Sequence, residues 1–116
     1  MIYIENESGQ TFPADLLERA ARAVLDLSGV PDADLTVVLV DDARIQALNR
    51  DFLGHDAPTD VLSFPADEPD PETGRRYLGD VAISLARADE QARERGHAVE
   101  AEMQLLVVHG LSLIHI

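Results

Sequence analysis

Hydrophobic and polar positions alternate along this chain in two different periods, and the change between them marks out the elements. Ile2 to Ile4 shows a weak period of two, which predicts a short edge strand. Leu16, Ala20, Ala23, Val24 and Leu27 recur at helical spacing. Thr11 before Pro13 can cap the start of that helix, and Gly29 can end it. Leu35 to Val40 is an unbroken β-branched and aliphatic run, which predicts an interior strand. A second helix carries Ile45, Leu48 and Phe52 on one side, with Asp41 or Asp42 as cap and Gly54 as stop.

Val61 to Pro65 reads as a short strand ended by Pro65, and Asp67 to Gly74 (DEPDPETG) as an exposed loop. Arg75 to Ile83 is another strand, interrupted at Gly79-Asp80, where glycine signals a bulge or a close backbone approach. Ser84 can cap a helix from Leu85 to Arg95 that stops at Gly96. The last stretch, Val99 to Ile116, is acidic at its front and apolar almost all round from Leu105 onward. That pattern predicts a buried helix, too short and too acidic at its front for a membrane span.

The predicted order is β-α-β-α-β-β-α-α, with no repeat and no linker to divide it. The fold class expected is α+β: one domain over residues 1–116, a mixed four-stranded sheet with packed helices, and a buried C-terminal helix.

Composition narrows the function. The formal net charge is −13, and all nine basic residues are arginine. Broad coating of nucleic acid through many cationic phosphate contacts is therefore disfavoured, although a small basic patch or a bound metal could still engage phosphate. Cysteine is absent, which excludes disulfides and thiolate metal sites. The N-terminus lacks a basic region followed by an apolar run, so no signal peptide is expected and a cytoplasmic location is the default.

Three polar features resist a purely surface explanation: Asp60 and Ser63 in the run TDVLSFP, Asp80 in LGD, and His109-Gly110 in the apolar helix. Singly, each has an ordinary reading. Aspartate before a strand is usually a turn or cap, and a lone histidine on an apolar face is more often a satisfied core residue than a ligand. His97, after a helix-ending glycine, is expected to meet terminal carbonyls, and His55 sits in an exposed loop.

Taken together, NRDFLGHDAPTDVLSFP, LGDVAIS, QARERGH and LLVVHG resemble the YbeY family of bacterial endoribonucleases, over roughly Leu35 to Gly110. The resemblance implies a zinc-dependent hydrolase (one Zn2+ per chain) that cleaves single-stranded RNA in maturation of small-subunit ribosomal RNA. It also implies a role in ribosome quality control, with ribosomal RNA and small-subunit proteins as partners. His109 matches the first metal ligand of the family, while Asp60 and Asp80 become candidate catalytic residues and Arg50 and Ser63 candidate substrate-binding residues.

The family pattern places a second histidine four residues after the first and a third six residues beyond that. Here position 113 is leucine, and the third position lies past the end of the chain, so the domain is expected to be incomplete at its C-terminus. His115 is not a substitute, because six residues of helix turn it away from the face of His109. The family also often carries arginine where this chain has Leu53, with Arg50 one turn earlier. Two alternatives follow. One is a catalytically inactive member that binds a ribosomal partner without cutting RNA. The other is a zinc peptidase, against which the absence of an HExxH arrangement speaks. If the three matching segments form one site, His109 should face a cleft edged by Asp60 and Asp80.

Overall fold

A computed structural model describes residues 1–114, the side chain of Asp67 excepted. The chain runs β1 (Ile2–Asn6), α1 (Ala14–Leu27), β2 (Asp34–Val40), α2 (Asp42–Leu53), β3 (Val61–Pro69), β4 (Arg76–Ser84), α3 (Leu85–Arg95) and α4 (Val99–Ile114). The strands form one mixed sheet in the order β1-β2-β4-β3, with β1 and β4 parallel to β2 and β3 antiparallel to β4. The expected α+β class and four-stranded sheet are what is found.

Because side chains on a strand alternate between faces, the register sorts the sheet into two surfaces. Ile2, Leu35, Val37, Leu39, Val61, Val81 and Ile83 turn to one side and meet Leu17, Ala21 and Leu25 of α1, with Met103, Leu106, Val107 and Leu111 of α4. This is the main core. Each fully buried aliphatic side chain there contributes about 1.5–3 kcal/mol. On the opposite side Val40, Ile45, Leu62 and Ala82 form a small cluster beneath α2.

Local chemistry explains most element ends. Asp41 Oδ1 accepts the backbone N–H of Arg44 at 2.7 Å, and Ser84 Oγ accepts that of Arg87 at 3.2 Å, each closing the first turn of a helix. Gly54 and Gly96 stop α2 and α3 in the left-handed conformation.

Several expectations need correction. The buried stripe of α1 is Leu17, Ala21 and Leu25, rotated by one residue from that expected, and Leu27 is exposed. Thr11 makes no cap; Pro13 occupies that position without a side-chain bond. Pro65 does not end β3, which continues to Pro69 along the sheet edge, where a missing N–H costs no ladder bond. The register of β3 and β4 shifts between Pro65 and Glu68, opposite Gly79.

Gly79 has φ +136°, and a Cβ there would lie 2.2 Å from the carbonyl oxygen of Phe64. Only glycine permits that approach.

Among the described residues Asp34, Asp70 and Glu102 are buried carboxylates, and two of them tie distant segments together. Glu102, in the first turn of α4 and fully buried, accepts from Arg95 Nη1 at 2.8 and 3.2 Å and lies 2.6 Å from His97 Nε2. His97 thus meets a helix-end carbonyl through its backbone N–H, which donates to Ala92 O at 3.0 Å, and its side chain joins α3 to α4 through Glu102. Asp34, equally buried at the start of β2, is met by the amino terminus, Thr73 and Arg75. Burial by itself raises its pKa, but the bonds from the amino terminus and Thr73 outweigh that and hold it below the ordinary carboxylate value.

Candidate functional site

The apolar helix α4 could roll to bury any of several faces, and two small contacts decide which. Gly110 lies directly on β4: a Cβ at that position would stand 2.5 Å from Val81 Cγ1 and 3.2 Å from Val61 Cγ2. Ser63 Oγ donates to the Gly110 carbonyl oxygen at 2.8 Å, tying the edge strand β3 to the same turn. With Met103, Leu106, Val107, Gly110 and Leu111 turned inward, the outward face presents Leu105, Val108, His109 and Leu113. The helix is therefore buried on one side only, and His109 is exposed rather than enclosed.

The candidate residues do not gather in one cleft. Asp60 precedes β3 and is held by local structure: Oδ1 accepts from the Val61 N–H at 2.8 Å and from Thr59 at 3.3 Å, and Oδ2 from Gln91 of α3 at 3.2 Å. Asp80 pairs with Phe64 and Thr36 in register and lies on the face of the sheet away from α4. The expected cleft with His109 facing both Asp60 and Asp80 is therefore not formed, since strand parity sends Val81 toward α4 and its neighbour Asp80 the other way. Ser63 spends its hydroxyl proton on Gly110. Arg50 is exposed at the end of α2, with Nε donating to Asp51 at 2.9 Å, and Leu53 and Phe52 are exposed beside it.

Sequence reasoning missed a row of polar groups on that second face. Tyr3, Thr36, Asp80 and Phe64 stand side by side across four strands, and Tyr77 hydroxyl donates to Asp80 while receiving from Thr36. Burial, followed by the bond to Asp80, raises the pKa of Tyr77 well above that of a free phenol. The signal was available in the parity of Tyr3 and Glu5 against the inward-facing Ile2 and Ile4.

The three motif segments do meet, but as a packed joint. Ser63 is opposite Val81, Phe64 opposite Asp80 and Pro65 opposite Gly79, and Gly110 sits on Val81. Gly79 and Gly110 are each where another backbone or side chain comes too close for a Cβ. A family model described as Endoribonuclease YbeY matches residues 3–116 of the chain.

The chain belongs to the Endoribonuclease YbeY family.

Relatives of that name bear this out. One from Pelotomaculum thermopropionicum is 49% identical over 100 residues, covering 83% of this chain and 66% of the relative. Another from Syntrophotalea carbinolica is 42% identical over 114 residues, covering 96% of this chain and 75% of the relative. A solution structure of a Thermotoga maritima protein superposes with a TM-score of 0.65 at 31% identity, over 96% of this chain and 69% of that one. The chain thus spans about two thirds to three quarters of the length of these YbeY relatives.

A zinc ion is the cofactor that the resemblance to the YbeY family implies, and its fit can be tested on the donors present. Among the described residues no three His, Cys, Asp or Glu side chains converge to hold a metal. His109 has no side-chain partner there, position 113 is an exposed leucine, and His115 lies outside the described residues. Residues 1–114 therefore do not by themselves fit a catalytic zinc site, which normally uses three protein ligands.

Proposed function

We propose that this chain is an RNA-cleaving protein by descent, acting as a metal-dependent endoribonuclease in maturation of small-subunit ribosomal RNA and in ribosome quality control in the cytoplasm. Membership of the Endoribonuclease YbeY family is the observation that carries this reading. The joint between TDVLSFP, LGD and HG supports it, because that joint sets the roll of α4 and so the direction of His109. On this reading residues 1–114 supply the scaffold and one metal ligand, His109, and further ligands come from outside them. Asp60, Arg50 and Ser63 support the scaffold or lie on its surface, and no chemical step is assigned to them. Among the described residues no helix is long and apolar enough to cross a membrane.

A second reading is favoured by the lone His109. The 116-residue chain binds a small-subunit ribosomal protein without cutting RNA. Zinc stoichiometry after gel filtration, paired with cleavage of single-stranded ribosomal RNA fragments, separates the two. Cleavage that is lost in His109→Ala and on chelation establishes the first reading. Intact RNA and far less than one zinc per chain, together with saturable binding of a small-subunit ribosomal protein, establish the second.

A further inference from the structure

Glu102 is a charged side chain that the fold takes out of water entirely, and no step of RNA cleavage is assigned to it. It stands on the inward stripe of α4, one turn before Leu106 and two before Gly110, on the helix side that packs inward. Its carboxylate is met from outside that helix. Arg95, the last residue of α3, donates from Nη1 to Oε2 at 2.8 Å and to Oε1 at 3.2 Å, and His97 Nε2 in the following turn lies 2.6 Å from Oε1. Both partners reach solvent, with side chains 56% and 33% exposed. Among the described residues α1, β3 and β4 bring no ion pair to this carboxylate.

Such a group adds little to stability. Taking a carboxylate out of water costs about as much as its cations return, and an apolar side chain of similar volume in its place is often neutral or stabilising. A buried charge discriminates between arrangements instead, because any arrangement that leaves it unpaired is costly.

Helix α4 needs that discrimination. Its far half is seated by Gly110 on Val81 and by the bond from Ser63. Two turns earlier the apolar residues do not choose. A roll of one position, about 100°, brings Leu105 to the place of Leu106 and so exchanges one leucine for another. The same roll carries Glu102 to the place of Met103, which is fully buried in the main core, away from Arg95 and His97.

We propose that Glu102, clamped by Arg95 and His97, is a positioning residue: it fixes the roll of the front half of α4 and, together with Gly110 in the far half, the direction in which His109 points. The inference deepens the functional reading and rests on it for the role of His109. Its test uses neither RNA nor metal, so failure of the clamp and failure of the nuclease reading are seen separately.

The test compares the seat of α4 with the stability of the intact 116-residue chain. Nuclear magnetic resonance reads the seat from the Gly110 amide, the His109 ring and the contact between Gly110 and the Val81 methyls; thermal unfolding reads stability. Glu102→Leu leaves Arg95 and His97 free to turn into water, so its unfolding temperature should stay within about 4 °C of the parent. The Gly110 and His109 signals should nonetheless split into more than one set, and amide exchange from Met103 to Gly110 should speed up by about tenfold or more. Glu102→Gln, which keeps an acceptor for Arg95, should retain the single set. Arg95→Ala with His97→Ala strands the buried carboxylate and should unfold at a much lower temperature; adding Glu102→Leu should restore the temperature but not the single seat.

One unshifted set of Gly110 and His109 signals in Glu102→Leu would overturn the proposal. So would a Glu102→Leu chain as unstable as the Arg95→Ala, His97→Ala chain, because the clamp would then serve to fasten α4 and not to aim it.

Discussion

The two faces of the sheet are built from the same strands, residue by residue in alternation, yet they are organised on opposite terms. The face under α1, α3 and α4 is a continuous apolar core in which even glycine positions are dictated by close approach. The other face has a core of four buried residues beneath one helix, and beyond it an open acidic channel. One face carries most of the buried apolar surface, and the other carries far less of it. That division predicts where substitutions are costly.

The sharpest break should come at the seam between the faces. Gly79→Ala puts a Cβ against the Phe64 carbonyl at a φ that L-residues rarely adopt, and should cost about 4 kcal/mol in urea unfolding. A loss under about 1 kcal/mol would mean the bulge relaxes freely. Leu17→Ala, in the main core and fully buried, should cost about 3 kcal/mol, while Val38→Ala on the channel floor should cost about 1 kcal/mol. Equal losses at those two positions would erase the contrast.

Gly110→Ala drives a methyl into Val81 and should cost about 2 kcal/mol. Val81→Ala in the same chain should recover part of that, giving a favourable coupling of about 1 kcal/mol in a double-mutant cycle. Additive losses would place the strain elsewhere than at Val81.

The smallest effect concerns pH. The folded-state pKa of Tyr77 is raised, so the stability it contributes is full below the ordinary phenol value of 10.0 and is lost as pH climbs toward the folded value. Ultraviolet titration should show both tyrosines resisting ionisation above that value, Tyr3 through burial and its bonds to Asp70 and Glu72, and Tyr77 through burial and its bond to Asp80. Asp80→Asn should bring the Tyr77 transition down, because the bond to the carboxylate is one of the causes of the shift.

Much of the fold was legible because turn and cap chemistry is local. Asp41, Gly54, Ser84 and Gly96 act where their residue types say they should. Gly79 was readable as a close approach, though Phe64 as its partner was not. What failed depended on choices between near-equal faces. Leu16, Ala20 and Val24 form as good a stripe on paper as Leu17, Ala21 and Leu25, and only packing against the sheet selects the second set.

The helix α4 is the extreme case. With apolar residues on every side, its pattern does not say which way His109 points, and the answer comes from Gly110 and Ser63, contacts between distant segments. Strand parity at Asp80 was legible from Val81 and Ile83, which put it on the face opposite theirs, whereas the seating of α4 on the Val81 face was not.

The position of α4 also bears on how the molecule is made. It is the last element in the described chain, yet it lies in the middle of its layer, touching α1, α3, β3 and β4. During synthesis at about 5–20 residues per second, every earlier element emerges before the helix that covers the sheet. Until α4 leaves the ribosome, Val37, Val61 and Val81 have no lid, and the nascent chain presents an oily sheet to chaperones and to its neighbours on the polysome. Completion of the core therefore waits for α4, and a chain released before Gly110 is expected to be cleaved faster in limited proteolysis than one that includes the whole helix.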